Sequence, residues 1–181
     1  MRGDRTALLV VDMLNTYDHD DADVLAESVR AAIPQMAALM ERARHDEVPV
    51  IYVNDNYGDW NSSSEELAEA AMNGRYPDLV EPLLPRDDDA FVIKARHSVF
   101  YSTPLEYLLR SMEIGRIVLT GQATEQCILY SALDGYVRHF HVAVPRDGVA
   151  HIHEHLAHGA LEMMERNMHA EIGAARDLRL G

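Results

Sequence analysis

Five short runs along the chain are almost wholly apolar: ALLVV at 7–11, VPVIYV at 48–53, AFVIK at 90–94, RIVLT at 116–120 and HVAV at 141–144. A strand with one wet face alternates apolar and polar residues. These runs do not alternate, so they are predicted to be strands covered on both faces, as in a parallel sheet. The segments between them carry helical spacing instead. Over 23–45 the apolar positions Val29, Ile33, Met36, Ala37 and Met40 recur at intervals of three and four, with Pro34 marking either the helix start or a kink. Ser102, Thr103 and Pro104 place a capping hydroxyl beside a first-turn proline, with Glu106 three residues after Thr103, which predicts a second helix start. Segments 124–139 and 152–168 read as helices too, the latter with Leu156, Leu161 and Met164 on one side. Residues 54–85 hold Gly, Asn, Ser and Pro with one helical piece at 65–72, and predict a long surface excursion of the kind that carries binding function.

Strands alternating with helices, joined by right-handed crossovers, predict a three-layer α/β/α sandwich with a mainly parallel, Rossmann-like central sheet. The chain has 181 residues, no internal repeat and no linker, so a single domain over 1–181 is expected. In such a sheet, ligands bind beyond the carboxyl ends of the strands.

Composition narrows the function. The apolar share of 48% and charged share of 25% suit a packed core rather than disorder. Thirty acidic side chains against 16 basic ones leave −14, which repels nucleic acid and anionic membranes, so neither is an expected partner. One cysteine permits no internal disulfide and suits a reducing compartment. With no signal-like N-terminus and no run of about 18 apolar residues, a soluble cytoplasmic protein is expected. No glycine-rich loop follows the first strand, where the sequence is VDMLN, and this disfavours dinucleotide binding.

Three reactive residues fall at the strand ends. Asp12 follows the first strand, Asn54 and Asp55 end the second, Lys94 ends the third, and Cys127 lies just after the fourth. Each of the three has an ordinary structural use by itself: a turn carboxylate, a solvated lysine, a small buried thiol. Their gathering at one rim gives them a chemical meaning. With Thr124 as N-cap, Cys127 occupies the third helical position, where the helix start and a nearby Lys94 ammonium would both lower a thiol's pKa. Asp12 could take the thiol proton and return it to a leaving amine.

These residues carry a resemblance. ALLVVDMLN with Asp12, KARHSVFYSTPL with Lys94, GQATEQCI with Cys127 and ALDGYVRHFHVAVPRDGVA occur in the order found in the isochorismatase-like cysteine hydrolases. That superfamily includes nicotinamidases, N-carbamoylsarcosine amidase and ureidoacrylate amidases. The resemblance implies an isochorismatase-like fold and a catalytic set of Asp12, Lys94 and Cys127. Cys127 would attack an amide carbonyl to form a thioester, Asp12 would serve as base and then acid, and Lys94 would favour the thiolate. It also implies a cis peptide between Gln122 and Ala123, and an oxyanion site built from the backbone N–H groups of Ala123 and Cys127.

Departures from the family are informative as well. Nicotinamidases carry a metal-binding D-x-H, but Tyr57 stands where that histidine is expected, and the next 39 residues hold no histidine, so no metal or other cofactor is expected. Isochorismatases proper cleave an enol ether without a catalytic cysteine, so Cys127 argues for a small amide substrate. Ether hydrolysis, a thiol redox protein needing an external resolving thiol, and a silent binding module remain alternatives.

Leu14, Tyr17, Asn56, Tyr57, Trp60 and Gln122 are candidate pocket residues. His151, His155 and His158 have the i, i+4, i+7 spacing that can share a metal, although a solvated helix start or a subunit contact is the preferred reading. Met163, Met164 and Met168 read as core or oligomer contacts, Asp87 to Asp89 as a solvated turn, and a homo-oligomer, dimer or tetramer, is expected.

Overall fold

The computed structural model describes Gly3 and residues 5–181. Among these residues, seven strands form one sheet: β1 (Arg5–Val11), β2 (Val50–Asp55), β3 (Ala90–Lys94), β4 (Ile114–Gln122), β5 (His141–Pro145), β6 (Val149–Ala150) and β7 (Glu171–Gly173). Their order is β3-β2-β1-β4-β5-β7, with β6 pairing the end of β4, and every pairing is parallel. The helices are α1 (Ala22–His45), α2 (Ser64–Met72), α3 (Pro77–Val80), α4 (Leu105–Ser111), α5 (Leu129–Val137) and α6 (Glu154–Met168).

The non-alternating runs are explained by two cores, one on each face of the sheet. Leu8 and Val10 of β1 pack with Val29, Met36 and Met40 of α1, while Ala7, Leu9 and Val11 pack with Leu105, Leu109, Ala132 and Met164 from α4, α5 and α6. Winding runs outward from β1 through β2 to β3, then restarts at β4 on the other side. The switch point therefore lies between β1 and β4, where Val11 stands in register with Gly121. Asp55 and Lys94 face each other at the ends of β2 and β3.

Several local expectations are corrected. Pro34 neither starts nor breaks α1, which continues through it with that residue exposed; Ile33 and Ala37 are only partly buried. The expected capping box of α4 is half formed: Thr103 Oγ1 accepts the Leu105 N–H at 3.3 Å while donating to the Val99 carbonyl at 2.6 Å, but Glu106 pairs with Arg138 at 3.1 Å. A capping box does form at α2, between Ser63 and Glu66. The 54–85 excursion is not wholly superficial, because Leu79, Val80 and Leu83 are buried against α1. In α6 the inward face is Ala157, Ala160, Met164 and Met168, whereas Leu156 is 48% exposed. Asp89 is not solvated; its side chain is buried against Arg44 at 2.6 Å. Among the described residues, no helix is long and apolar enough to cross a membrane.

Candidate active site

The chain leaves β1 through Asp12, whose φ of 55° turns the backbone sharply. Its carboxylate looks back over the sheet edge. Oδ1 accepts the Asp55 N–H at 2.8 Å, and Oδ2 lies 2.9 Å from Lys94 Nζ. Gln122 Nε2 donates to the Asp12 carbonyl at 2.6 Å, tying the end of β4 to the end of β1. Gly121, at φ 120°, allows this approach, since a Cβ there would overlap the Val11 carbonyl oxygen.

Lys94 is the hub. Its side chain is 0% exposed, and Nζ reaches Asp12 at 2.9 Å, Asp55 at 3.4 Å and Cys127 Sγ at 3.6 Å. A buried ammonium is costly unless paired, and two carboxylates meet that need here. Burial by itself would lower the Lys94 pKa, but the Asp12 charge, with Cys127 and Asp55, holds it above the usual lysine value. Asp12 is shifted upward from the ordinary carboxylate value, by burial acting against the Lys94 charge.

Cys127 lies in a π turn, Thr124–Ile128, that runs directly into α5. The N-cap is Ala123 rather than Thr124, whose hydroxyl donates to the Ala150 carbonyl at 2.9 Å. Glu125 anchors the turn by accepting the N–H groups of Ile152 at 2.9 Å and His153 at 2.7 Å. The Gln122–Ala123 bond is cis. Burial, and then the Asp12 charge, push the Cys127 thiol up, and Lys94 offsets only part of this. The direction is opposite to the lowering expected from the helix start and Lys94.

A cavity of about 450 Å³ opens over Lys94, within the usual range for small-molecule sites. Of the expected pocket residues, Asn56, Tyr57 and Trp60 line it, together with Asp55, Arg96 and Tyr101. Leu14, Tyr17 and Gln122 do not. Leu14 and Tyr17 are buried beneath the site, and the Tyr17 hydroxyl reaches Gln122 Oε1 at 3.5 Å. The Leu14 backbone is held by the Asn54 side chain and by the Tyr57 hydroxyl, the latter at 3.0 Å.

Two neighbours of the cluster were not among the expected site residues. Asp55, noted only as a strand end, shares the Lys94 ammonium. His97 places Nδ1 3.8 Å from Cys127 Sγ and leans on Tyr130 at 5.3 Å between ring centres. It lies within the KARHSVFYSTPL stretch, yet no periodicity points a single loop histidine at a particular thiol. The proposed metal spacing at His151 does not hold as a helical face. His151 precedes α6 and pairs with Ser28 at 3.1 Å, and among the described residues no group of three metal-binding side chains is gathered.

Residues 6–177 match the family model of the isochorismatase domain. The chain is 37% identical over 166 residues to the uncharacterized isochorismatase family protein YaaI of Bacillus subtilis, covering 92% of each chain. It is 28% identical over 159 residues to maleamate amidohydrolase of Pseudomonas putida, covering 83% of this chain and 75% of that one. Among solved structures, N-carbamoylsarcosine amidase from Thermoplasma acidophilum superposes with a TM-score of 0.74 at 26% identity, covering 98% of this chain and 99% of that one.

Proposed function

Since the chain belongs to the isochorismatase family and is an enzyme acting on carbon–nitrogen bonds other than peptide bonds, we propose that it hydrolyses a small amide through a Cys127 thioester. The observation that carries this reading is the Lys94 ammonium touching both the carboxylate of Asp12 and the sulfur of Cys127. Asp12 takes the thiol proton as Sγ attacks the carbonyl carbon, so that thiolate character develops only with attack. The tetrahedral oxyanion forms beside the backbone N–H groups of Ala123 and Cys127. Asp12 then protonates the leaving nitrogen, the carbon–nitrogen bond breaks, and ammonia or an amine departs. Water attacks the thioester with Asp12 again as base, releasing the acid and restoring the thiol. Lys94 keeps the site's charge balanced throughout.

Relatives named for acting on maleamate, N-carbamoylsarcosine and ureidoacrylate support a small amide or ureido substrate. Ammonia release from maleamate and N-carbamoylsarcosine, measured on the wild type, Cys127→Ala and Asp12→Asn, tests the reading. Both variants are expected to lose at least about a thousandfold in kcat. Retained turnover in Cys127→Ala would overturn the thioester route. A homo-oligomer working in the cytoplasm belongs to the same reading, and sedimentation velocity of the purified chain checks the first part.

A further inference from the structure

Arg96 lies two residues beyond Lys94 in the wall shared by two hollows: the cavity over Lys94 and a shallower one of about 420 Å³ bordered by His97, Tyr130 and Asp134. It is exposed and, among the described residues, forms no ion pair, in a chain that carries 30 acidic side chains. The carboxylates nearest along these walls are already engaged. Asp134 is held by Arg138 at 2.7 Å, and Asp55 by Lys94 at 3.4 Å and by the Tyr57 N–H at 2.9 Å.

A second, independent feature of the same cavity points to a ligand. Asn56 is 3% exposed, and its Oδ1 accepts the Gly58 N–H at 3.0 Å, which fixes the orientation of the amide. Its Nδ2 is left buried with no hydrogen-bond partner. Unmatched buried donors are uncommon because they forfeit hydration, so such a group in a cavity wall suits an acceptor arriving from outside. Tyr57, Trp60, Ile93 and Tyr101 supply apolar wall, which lowers the local dielectric and strengthens charge recognition.

We propose that Arg96 and Asn56 form a subsite for a carboxylate carried by the substrate, so that the enzyme selects anionic amides; this rests on the amide-hydrolase reading above. A guanidinium matches a carboxylate with two parallel N–H donors, and Asn56 Nδ2 supplies a third. The chain's net charge of −14 would otherwise repel such a substrate, which is why a local cation is required.

Iodoacetate and iodoacetamide alkylate a thiolate by the same displacement: the S–C bond forms as C–I breaks, and iodide leaves. They differ in carrying a carboxylate or a neutral amide. The ratio of their rates at Cys127, followed by intact mass at one pH, therefore isolates recognition of the carboxylate and cancels thiol ionisation. Arg96→Gln is expected to lower the iodoacetate-to-iodoacetamide ratio by about tenfold. Arg96→Lys, which keeps the charge but not the paired donors, should keep only part of it, and Asn56→Asp should lower it. Added salt should compress the wild-type ratio more than that of Arg96→Gln. An equal ratio in wild type and Arg96→Gln overturns the subsite. Alkylation needs no turnover: a ratio that depends on Arg96 in an enzyme inert toward amides supports anion selection and overturns the hydrolase reading alone.

Discussion

Lys94 holds two carboxylates and a thiol within reach of one ammonium, and burial together with the neighbouring charges governs how the cysteine behaves. Burial penalises a thiolate there, the Asp12 charge adds to that penalty, and the Lys94 ammonium offsets only part of it. Alkylation of Cys127 by iodoacetamide is therefore expected to keep accelerating above the ordinary thiol value of 9.0. Asp12→Asn removes a raising charge and should bring the midpoint down, while Lys94→Met should move it further up. A rate that levels off below neutrality would contradict this account. Lys94→Met also leaves two neighbouring carboxylates without their cation, which should cost about 3–5 kcal/mol in urea unfolding at neutral pH. That deficit should shrink in acid as the carboxylates protonate.

At the scale of elements, the site depends on how closely β1 and β4 approach at their ends. Gly121→Ala places a Cβ against the Val11 carbonyl in a backbone conformation that side chains rarely adopt, and should destabilise by at least about 2 kcal/mol. A thermal melt checks this, and a wild-type Tm would mean that β4 can shift without loss. In α6 the spacing of Leu156, Leu161 and Met164 suggested one inward face, but the observed face turns on two alanines that let the helix pack closely. Met164→Ala, at a fully buried position, should cost about 2–5 kcal/mol, whereas Leu156→Ala should stay within about 0.5 kcal/mol.

For the whole molecule, the raised pKa values of Cys127 and Lys94 set the alkaline limit. A group whose folded pKa exceeds its unfolded value contributes stability that is fully present below the unfolded value and is lost as pH rises through the folded one. For these two groups the unfolded values are 9.0 and 10.5, so unfolding free energy should start to fall as pH passes about 9. Cys127→Ala should remove the earlier part of that decline, and a pH series of urea melts would reveal it. The sequence by itself determined the parallel sheet, because burial on both faces leaves short uninterrupted apolar runs and these alternate with segments of helical spacing. It also determined that Asp12, Lys94 and Cys127 share one rim, because parallel strands all point their carboxyl ends the same way. β6 and β7, at two and three residues, were too short to show any period. Only the tertiary structure decided that Asp55 shares the lysine, that the Tyr17 hydroxyl meets Gln122 under the site, that Arg96 and Asn56 line the cavity with the Asn56 Nδ2 lacking a partner, and that burial pushes the Cys127 thiol up. Those outcomes rest on distances between segments remote in sequence and on the removal of water around them, and neither quantity is written in the local pattern of residues.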